Sequence, residues 1–540
     1  MKPKHPYAAL ASYIAFLVIA QGLWGQQPPP THVGVPQDWS DGTIAFSLDG
    51  LAEHPDVIER EPRVRHQLMQ RFPALEPYFF RDVLEGDLDS SNHPDHRDWN
   101  VTFVAGHVAN NMYPAKFSFN PGAPPSCTND YVVFGLNAQG ISGKQANLVA
   151  FNNLYSGPGG LCGSAPTVLF AYNITTFKGG KVILSPVISE NGTKIAFVES
   201  AGLTAVFHVL TWTAGQGTLS NPATPTAMTS LTFSTTATSS TSAPWIDYTN
   251  DIAYVGVDGG LLYKITGVFR GTPTLSGAPW PITVSEGHHL TPPVLDSTRG
   301  LLMVGSLNGN LYQINVTTGA MAVLVVGGHG KTSPGITAPP IVDVTNGVTY
   351  VVDADDGTSA VLVEVETATL TQLAKARIGQ GAAGGTALTI AQPALSNAYY
   401  QNPSTGQIEL CGTGTSDRTP WLYAFGFTGH TLNTTPAYSQ QLLTTAGITC
   451  SNWTEFYNPN INGGTDFFFF GLTSDCNGAG TLGCVVAATA EGVPLVTAPV
   501  DGGPSGIVID NYSTAGQASS IYLTAESASV AYKFTQDGLQ

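Results

Sequence analysis

The stretch Leu290–Gly319 reads LTPPVLDSTRGLLMVGSLNGNLYQINVTTG. Its pattern predicts a strand at Pro293–Leu295, a turn, a second strand at Leu301–Ser306, a hairpin turn and a third strand at Asn310–Val316. Similar units recur at a spacing of roughly 50 residues, the period of a β-propeller blade. We count eight units and predict an all-β fold, an eight-bladed β-propeller. Seven blades remain the alternative, if the first or last unit is shared across the ring closure.

The predicted second strands support this architecture. They are apolar at successive positions and do not alternate, as in Ile252–Val255, Leu301–Val304, Val348–Val352 and Phe467–Phe470. Strands read this way when both of their faces are buried. Blades stacked face to face around an axis bury both faces of each sheet, whereas a β-sandwich leaves one face of each sheet exposed to solvent.

One polar position recurs at the end of the predicted first strands. It is occupied by Asn120, Ser189, Asp247, Asp296, Asp343, Ser396, Asn458 and Asp510. These residue types hydrogen-bond to the backbone two residues on and begin turns. We therefore interpret the position as turn chemistry, with a ring of cation-binding carboxylates around a channel as the alternative.

The residues before the repeats divide into three parts. Residues 1–25 resemble a signal peptide, with Lys2 and Lys4 before the apolar run Leu10–Ala20. Residues 26–112 are predicted to be a Pro-rich linker and an irregular segment, with a short helix from about Arg63 packed on the outside or one face of the repeats. The polar run Asp87–Trp99 is interpreted as a solvated loop rather than a metal site. The propeller is predicted to span residues 113–537.

Charge and cysteines limit the environment and the partners. The net charge is −17 with 21 Lys and Arg, which disfavours nucleic acid. Six cysteines, an even number, fit an oxidising compartment, so we predict a secreted or periplasmic protein without a membrane span in its mature chain. Neighbour pairing predicts disulfides Cys127–Cys162, Cys411–Cys450 and Cys476–Cys484, one of fifteen pairings that six cysteines allow.

Two segments carry a family resemblance. Gly309–Gly319 (GNLYQINVTTG) follows the pattern G-x-L-Y-x-[IL]-[DN]-x-x-T-G, and Gly260–Gly267 (GLLYKITG) follows its first part. On these residues the chain resembles the repeats of quinoprotein-dehydrogenase-like propellers, which implies a secreted bacterial propeller. Enzymes of that family bind pyrroloquinoline quinone with a vicinal disulfide, a stacked tryptophan and calcium. This chain has no adjacent cysteine pair, and Gly319 is followed by Ala320 rather than Trp, so we expect no cofactor.

Candidate ligand-binding residues come from the position of loops rather than from a motif. In a propeller, the loops before the first strands and the hairpins between the second and third strands surround one mouth of the channel. These loops carry His288, His289, His329, Lys331, Asp355 and Asp356. Since His288 and His289 are adjacent, they can serve one site only from a loop, because on a strand they would face opposite ways.

No catalytic set is apparent. The segment Gly327–Thr332 (GGHGKT) lacks the first glycine of a phosphate loop, and neither GxSxG nor HExxH occurs. We therefore predict a monomeric, non-enzymatic binding or scaffold propeller for a protein or glycan. The alternative is a propeller enzyme, a glycan lyase, hydrolase or quinone-dependent oxidoreductase. Metal ligands are not identified.

Overall fold

A computed structural model describes most of the chain. The described residues are 35–37, 42–47, 50, 57, 61–71, 96–118, 125–327, 334–458, 464–476, 480, 482–489, 494–510 and 520–535. The predicted signal peptide, residues 1–25, lies outside these ranges. Within them, no helix has both the length and the apolar character needed to cross a bilayer.

The strands form eight separate sheets of four or five strands each, arranged as the blades of a propeller. Strands β1 to β18 are Val35–Gln37, Thr43–Ala45, His96–Thr102, Ala115–Ser118, Tyr131–Gly135, Leu148–Asn152, Thr167–Tyr172, Val187–Ile188, Lys194–Ala201, Thr204–Thr211, Met228–Ser234, Trp245–Asp247, Ile252–Gly256, Leu261–Thr266, Thr274–Leu275, Ile282–Thr283, Val294–Asp296 and Leu301–Gly305. Strands β19 to β36 are Asn310–Asn315, Met321–Val325, Ile341–Asp343, Val348–Asp353, Val361–Glu366, Thr371–Arg377, Ala394–Leu395, Gln407–Gly412, Trp421–Thr428, Thr431–Leu432, Tyr438–Gln441, Thr454–Asn458, Thr465–Leu472, Leu482–Thr489, Pro494–Asp501, Val508–Asp510, Ser520–Thr524 and Val530–Thr535. Helices α1 and α2 are Pro62–Arg71 and Asn397–Gln401, and Pro403–Thr405 is a 3₁₀ turn.

We call the first strand of each repeat its innermost strand, although in blades 1 and 5 the N-terminal strands β1 and β2 pair with its inner edge. These first strands, in blades 1 to 8, are β4, β8, β12, β17, β21, β25, β30 and β34. Each blade continues outward by antiparallel pairing, as in blade 4, where the order is β17-β18-β19-β20. The second strands are buried on both faces, for example Tyr131–Gly135, in which every residue is buried. The eight-bladed fold predicted from the repeats is therefore confirmed.

The recurring polar residue after the innermost strand begins turns, as predicted. The carboxylate of Asp247 accepts the N–H of Asn250 at 3.0 Å, and that of Asp343 accepts the N–H of Asn346 at 2.9 Å. Asp296 accepts two turn N–H groups in the same way. These carboxylates accept hydrogen bonds from the N–H groups of their own turns, which favours the turn interpretation over a ring of cation ligands.

The ring closes with a strand from the N-terminal part of the chain. β3 pairs antiparallel with β36 and is the outermost strand of blade 8, although it precedes residue 113, where the repeats were expected to begin. The prediction of a solvated loop at Asp87–Trp99 is wrong for its end, because Asp98 and Trp99 lie in β3 and are buried. Residues 87–95 lie outside the described residues. Asp98 forms a buried ion pair with Lys533 at 2.8 Å, which joins β3 to its neighbour.

Three disulfides reinforce the blades. The pairs are Cys127–Cys162, Cys411–Cys450 and Cys476–Cys484, as neighbour pairing predicted, and every cysteine is used. The second pair joins the end of β26 in blade 6 to the loop that leads into blade 7. It therefore holds one of the loops at the channel mouth.

Candidate functional site

The central channel has two different ends. We call the end surrounded by the loops that precede the innermost strands the open end. We call the opposite end, where the innermost strands finish in their turns, the plugged end. The N-terminal segment reaches the plugged end along the inside of the ring, because β2 pairs in parallel with the innermost strand β21 and β1 pairs with the innermost strand β4.

Helix α1 closes the plugged end. It begins at Pro62, close to the predicted start at Arg63, and of the two expected positions, the outside or one face of the repeats, it takes the face. Gln67 donates to the carbonyl oxygen of Ile44 in β2 at 2.8 Å, and Arg63 donates to the carbonyl oxygen of Ile246 in blade 3 at 3.0 Å. The Arg63 guanidinium also lies 3.8 Å from the ring centre of Trp245. The sequence did not decide between the two positions because the contact of Arg63 with blade 3 joins residues 183 apart.

Arg71 fixes the other end of the helix to blades 6 and 7. Its guanidinium forms two hydrogen bonds with the Glu455 carboxylate, at 2.9 and 2.6 Å, and a third with Asn397 at 2.8 Å. The side chains of Arg71 and Glu455 are 4% and 7% exposed, so this is a buried ion pair. Burial disfavours the charged guanidinium, but the Glu455 carboxylate more than offsets this, and the pKa of Arg71 is raised. The guanidinium also lies 3.7 Å from the ring centre of Tyr400.

A cavity of about 530 Å³ lies at the open end. It is built almost entirely from the loops that lead into the innermost strands of blades 1, 3, 4, 5, 6 and 7. The residues that line it are Asn110, Asn111, Met112, Ser240, Thr241, Gly287, His288, His289, Leu290, Thr291, Pro292, Leu307, Pro334, Ile336, Thr337, Pro339, Thr389 and Asn452. These are aliphatic, amide, hydroxyl and imidazole side chains, with no carboxylate, lysine or arginine among the described lining residues.

The loops around the cavity are anchored by a recurring hydroxyl group. In blade 4 the Thr291 hydroxyl, three residues ahead of β17, accepts the N–H of Gly305 at the end of β18, at 2.9 Å. Ser242, Ser451 and Ser505 accept equivalent N–H groups in blades 3, 7 and 8. A side chain at position 305 would place its Cβ only 2.3 Å from Ile336, so the glycine permits this close approach. These hydroxyls therefore tie four of the loops at the channel mouth to the second strands of their own blades.

A proline immediately precedes the innermost strand in blades 1 to 6. These prolines are Pro114, Pro186, Pro244, Pro293, Pro340 and Pro393. Proline suits the first position of a strand, where its missing N–H costs no ladder hydrogen bond, and it fixes φ at the approach to the strand. This repeated feature is a sequence signal for the approach to the innermost strand, and it is present in the lining loops of blades 1, 3, 4, 5 and 6.

The two adjacent histidines lie at the cavity. His288 and His289 follow a turn in the loop before β17, and both line the cavity wall, so the loop placement expected for them is what the structure shows. Nδ1 of His289 lies 3.2 Å from Oδ1 of Asp258 and 3.2 Å from Oγ of Ser240. Because the serine and the carboxylate contact the same ring nitrogen, the three residues do not form a relay of the Ser-His-Asp type, which uses both nitrogens. Asp258 and Ser240 orient the imidazole instead.

The other candidate residues do not line this cavity. Asp355 and Asp356 occupy the hairpin between β22 and β23, where their carboxylates accept the N–H groups of Gly357 and Thr358. Asp356 also pairs with Lys375 at 2.7 Å. Burial alone would raise the pKa of Asp356, but the hydrogen bonds from Lys375 and Thr358 lower it to about 2. His329 and Lys331 lie outside the described residues.

Several lining residues have no chemical signature in the sequence. Asn452 is an example: its amide donates to the carbonyl oxygen of Asn111 at 3.0 Å and accepts the N–H of Gln392 at 2.8 Å, and so connects the loops of blades 1, 6 and 7. Neutral amides and hydroxyls are common in turns, so their residue types alone do not distinguish a site. Among the described residues, no group of three or more His, Cys, Asp or Glu side chains is placed to hold a metal ion.

Comparison with known proteins identifies the fold and no family. No family model and no curated protein matches the chain. Sqt1 from Saccharomyces cerevisiae is similar in structure with a TM-score of 0.50 and 12% identity, covering 81% of this chain and 98% of that one. The Dos1 propeller has a TM-score of 0.49 and 10% identity, covering 82% and 95%, and BamB from Moraxella catarrhalis has 0.45 and 11%, covering 82% and 98%. At these identities the likeness concerns the fold alone.

Proposed function

We propose that this protein is a non-enzymatic binding propeller that works outside the cytoplasm and holds an uncharged segment of a partner protein in the cavity at the open end. The observation that carries the proposal is the cavity itself: about 530 Å³, surrounded by the loops at the open end and lined by aliphatic, amide, hydroxyl and imidazole side chains. Ligand pockets usually measure about 300–1,000 Å³.

The chemistry of the lining favours binding over catalysis. General acid–base catalysis needs titratable groups within hydrogen-bond reach of one substrate atom. In the described lining only His288 and His289 carry ionisable side chains, and His289 is already engaged with Asp258 through Nδ1. Aliphatic side chains such as Leu307 and Ile336 can instead pack against an apolar side chain of a ligand, while Asn110 and Thr389 can hydrogen-bond to its backbone.

A protein segment fits this lining better than a glycan does. No Trp, Tyr or Phe is among the described lining residues, and sugar rings commonly pack their C–H faces on aromatic rings. Location outside the cytoplasm is supported by the three disulfides, because such bonds persist in oxidising compartments.

The test is selection of ligands from a displayed peptide library and from a glycan array, with two variants for comparison. Thr389→Trp places a bulky ring at the cavity, and Thr371→Trp makes the same change at an exposed threonine on the outer strand of blade 5. We expect uncharged peptides with an apolar residue to be selected, and to lose at least tenfold in affinity with Thr389→Trp only.

Three results would overturn the proposal. Peptides that bind both variants equally would place the site elsewhere. Ligands found on the glycan array alone would reject a protein partner. Turnover in a hydrolase and dehydrogenase screen that Thr389→Trp abolishes would reject a non-enzymatic role.

A further inference from the structure

Each blade ends in an outermost strand, and these strands differ in how they are protected. The outer edge of a sheet presents backbone N–H and C=O groups that can pair with another chain, and proteins blunt such edges with charges, proline, bulges, short strands or covering segments. Over the described residues, the eight outer edges differ in which of these devices they carry.

Seven edges carry one of these devices. In blade 1, β7 is covered by residues 216 and 223, which bridge to it in parallel. In blades 3 and 6 the edge is split into short strands, β15 with β16 and β28 with β29. In blades 2, 5, 7 and 8 the pairing with the outer strand contains a bulge. These four outer strands also carry polar, charged or proline residues. β11 exposes Thr and Ser, and β24 carries Lys375 and Arg377. β33 contains Pro494 and Pro499, and β3 carries Arg97 and Asp98.

Over the described residues, the edge of blade 4 carries none of them. β20 reads Met-Ala-Val-Leu-Val and pairs with β19 over five consecutive residues without a bulge. Its side chains at Met321, Val323 and Val325 are 43%, 53% and 62% exposed. Three apolar side chains at alternate positions lie on the same face of the strand and form one continuous apolar ridge.

The backbone of β20 is also available for pairing. The N–H of Val326 donates to the carbonyl oxygen of Gly309 at 2.9 Å, and the N–H of Asn315 donates to the carbonyl oxygen of Ala320 at 2.8 Å. Val326 and Ala320, which flank β20, therefore form hydrogen-bonded pairs with residues at the two ends of β19. Hydrogen-bonded and non-hydrogen-bonded pairs alternate along an antiparallel ladder. Met321, Val323 and Val325 therefore direct their N–H and C=O groups away from β19.

We propose that β20 pairs antiparallel with β20 of a second copy of this chain, across a two-fold axis at Val323. In this register Val323 lies opposite the second copy's Val323, and Met321 lies opposite the second copy's Val325. The strand carries no charge, so no like charges meet across the axis. The two blades form one continuous eight-stranded sheet, since blade 4 has four strands.

A second copy fits better than an unrelated partner because the strand is self-complementary. Two-fold homodimers are the commonest protein oligomers, and their interface uses the same patch on both subunits. The contact is small: five strand residues from each copy, against the roughly 20–30 residues a side of a stable interface. The association is therefore reversible and weak, with a dissociation constant on the order of 10–100 µM.

Salt strengthens this association. Each copy carries a net charge of −17, so the two copies repel one another at a distance. Raising the ionic strength screens that repulsion, whereas the apolar strand contact needs no charge. The expected direction is opposite to that of an association held by ion pairs.

Sedimentation velocity over a concentration series from about 1 to 300 µM tests the proposal. The wild-type protein is expected to show a monomer–dimer equilibrium that strengthens with salt. Val323→Lys places two ammonium groups opposite each other on the axis and is expected to weaken association at least tenfold, and Val323→Glu is expected to do the same. An equimolar mixture of the two variants places Lys opposite Glu and is expected to restore it. Because the described structure has no free cysteine, disulfide-linked dimers do not confuse the result.

Leu373→Lys is the matched control. Leu373 is 44% exposed on β24, the neighbouring edge that already carries charges, so this change should leave the association unaltered. A wild-type protein that stays monomeric over the whole series overturns the proposal. So does a Val323→Lys variant that keeps its thermal unfolding curve and still associates like the wild type, or a mixture of the two charged variants that stays monomeric.

Discussion

The two ends of the channel are built from the same repeats but differ in what fills them. At the plugged end, the chain's own helix brings two buried arginines, Arg63 and Arg71, against backbone carbonyls, aromatic rings and the Glu455 carboxylate. At the open end, the described lining holds neither Lys nor Arg, and a cavity of about 530 Å³ remains. The end that holds the charged contacts is closed by the protein itself, whereas the other end keeps a cavity, where we propose that a partner binds.

This difference comes from segments outside the repeat. A ring of similar blades supplies equivalent turns at one end and equivalent loops at the other. What makes the ends unlike is α1 and the strands β1 and β2, which line the inside of the ring before the first blade begins. We therefore expect substitutions at the plugged end to lower the free energy of unfolding. We expect those at the open end to change hydrogen exchange in the loops and the affinity for the proposed partner.

The largest effect is expected from Arg71→Ala at the plugged end. The substitution leaves the Glu455 carboxylate buried without its guanidinium partner, and breaking a buried pair in this way costs about 3–5 kcal/mol. The measurement is the denaturant midpoint, together with hydrogen exchange of residues 61–71. Arg97→Ala, at an exposed arginine on β3, is the matched control and should change stability by less than about 0.5 kcal/mol. Equal effects of the two changes would show that the ion pair does not hold the helix.

A pH-dependent effect is expected at Glu364, beside the same end. Burial raises the pKa of Glu364 to about 7, although the N–H of Leu432 donates to its carboxylate at 2.8 Å and opposes the shift. Its other contacts, Tyr350 and then Tyr399, lead to Asp343 in the innermost strand of blade 5. Between its ordinary pKa of 4.5 and about 7, the folded chain keeps a proton that the unfolded chain has lost, so stability falls as the pH rises through this window.

Glu364→Gln removes that titration. Its stability relative to the wild type should rise between pH 4.5 and about 7 and then stay level, with a total difference of about 1–3 kcal/mol. Denaturant midpoints measured across this pH range give the difference. Glu366→Gln, at an exposed glutamate two residues further along β23, is the control, and its midpoint should follow the wild type at each pH. Parallel curves for Glu364→Gln and the wild type would show that Glu364 does not carry this dependence.

The sequence predicted the repeated parts of the molecule and missed the unique ones. The blades follow from local patterns: an apolar second strand, a turn that begins at Asp or Ser, and a third strand such as Asn310–Asn315, which ends one residue before its prediction. The pairing of β3 with β36 joins residues more than 400 positions apart, and its strand HRDWNVT is too polar to be distinguished from a loop. The position of α1 at the plugged end depends on contacts that are also distant in sequence, for example Arg71 with Glu455, which are 384 residues apart.

The candidate site was predicted in the same uneven way. The loop that carries His288 and His289 was placed correctly because its position in the repeat fixes its position in the ring. Asp355 and Asp356 were candidates because they are carboxylates, but Asp355 accepts a turn N–H group and Asp356 forms an ion pair with Lys375. The hydroxyls and amides that shape the cavity are indistinguishable by type from ordinary loop residues, so only the fold identifies them.

The smallest effect is expected at the open end, from Thr291→Val. This change keeps the shape of the side chain and removes the hydroxyl that accepts the N–H of Gly305. An unsatisfied buried N–H costs about 1–3 kcal/mol, and a cost near the lower limit is expected here, because the loop can shift by a small amount to admit water. Hydrogen exchange should then increase in residues 287–292 and leave residues 61–71 unchanged. Thr298→Val, at an exposed turn on the opposite side of the same blade, should alter neither region. Faster exchange in the helix after Thr291→Val would mean that the two ends are coupled, and the separation between a self-closed end and an end proposed to bind a partner would then fail.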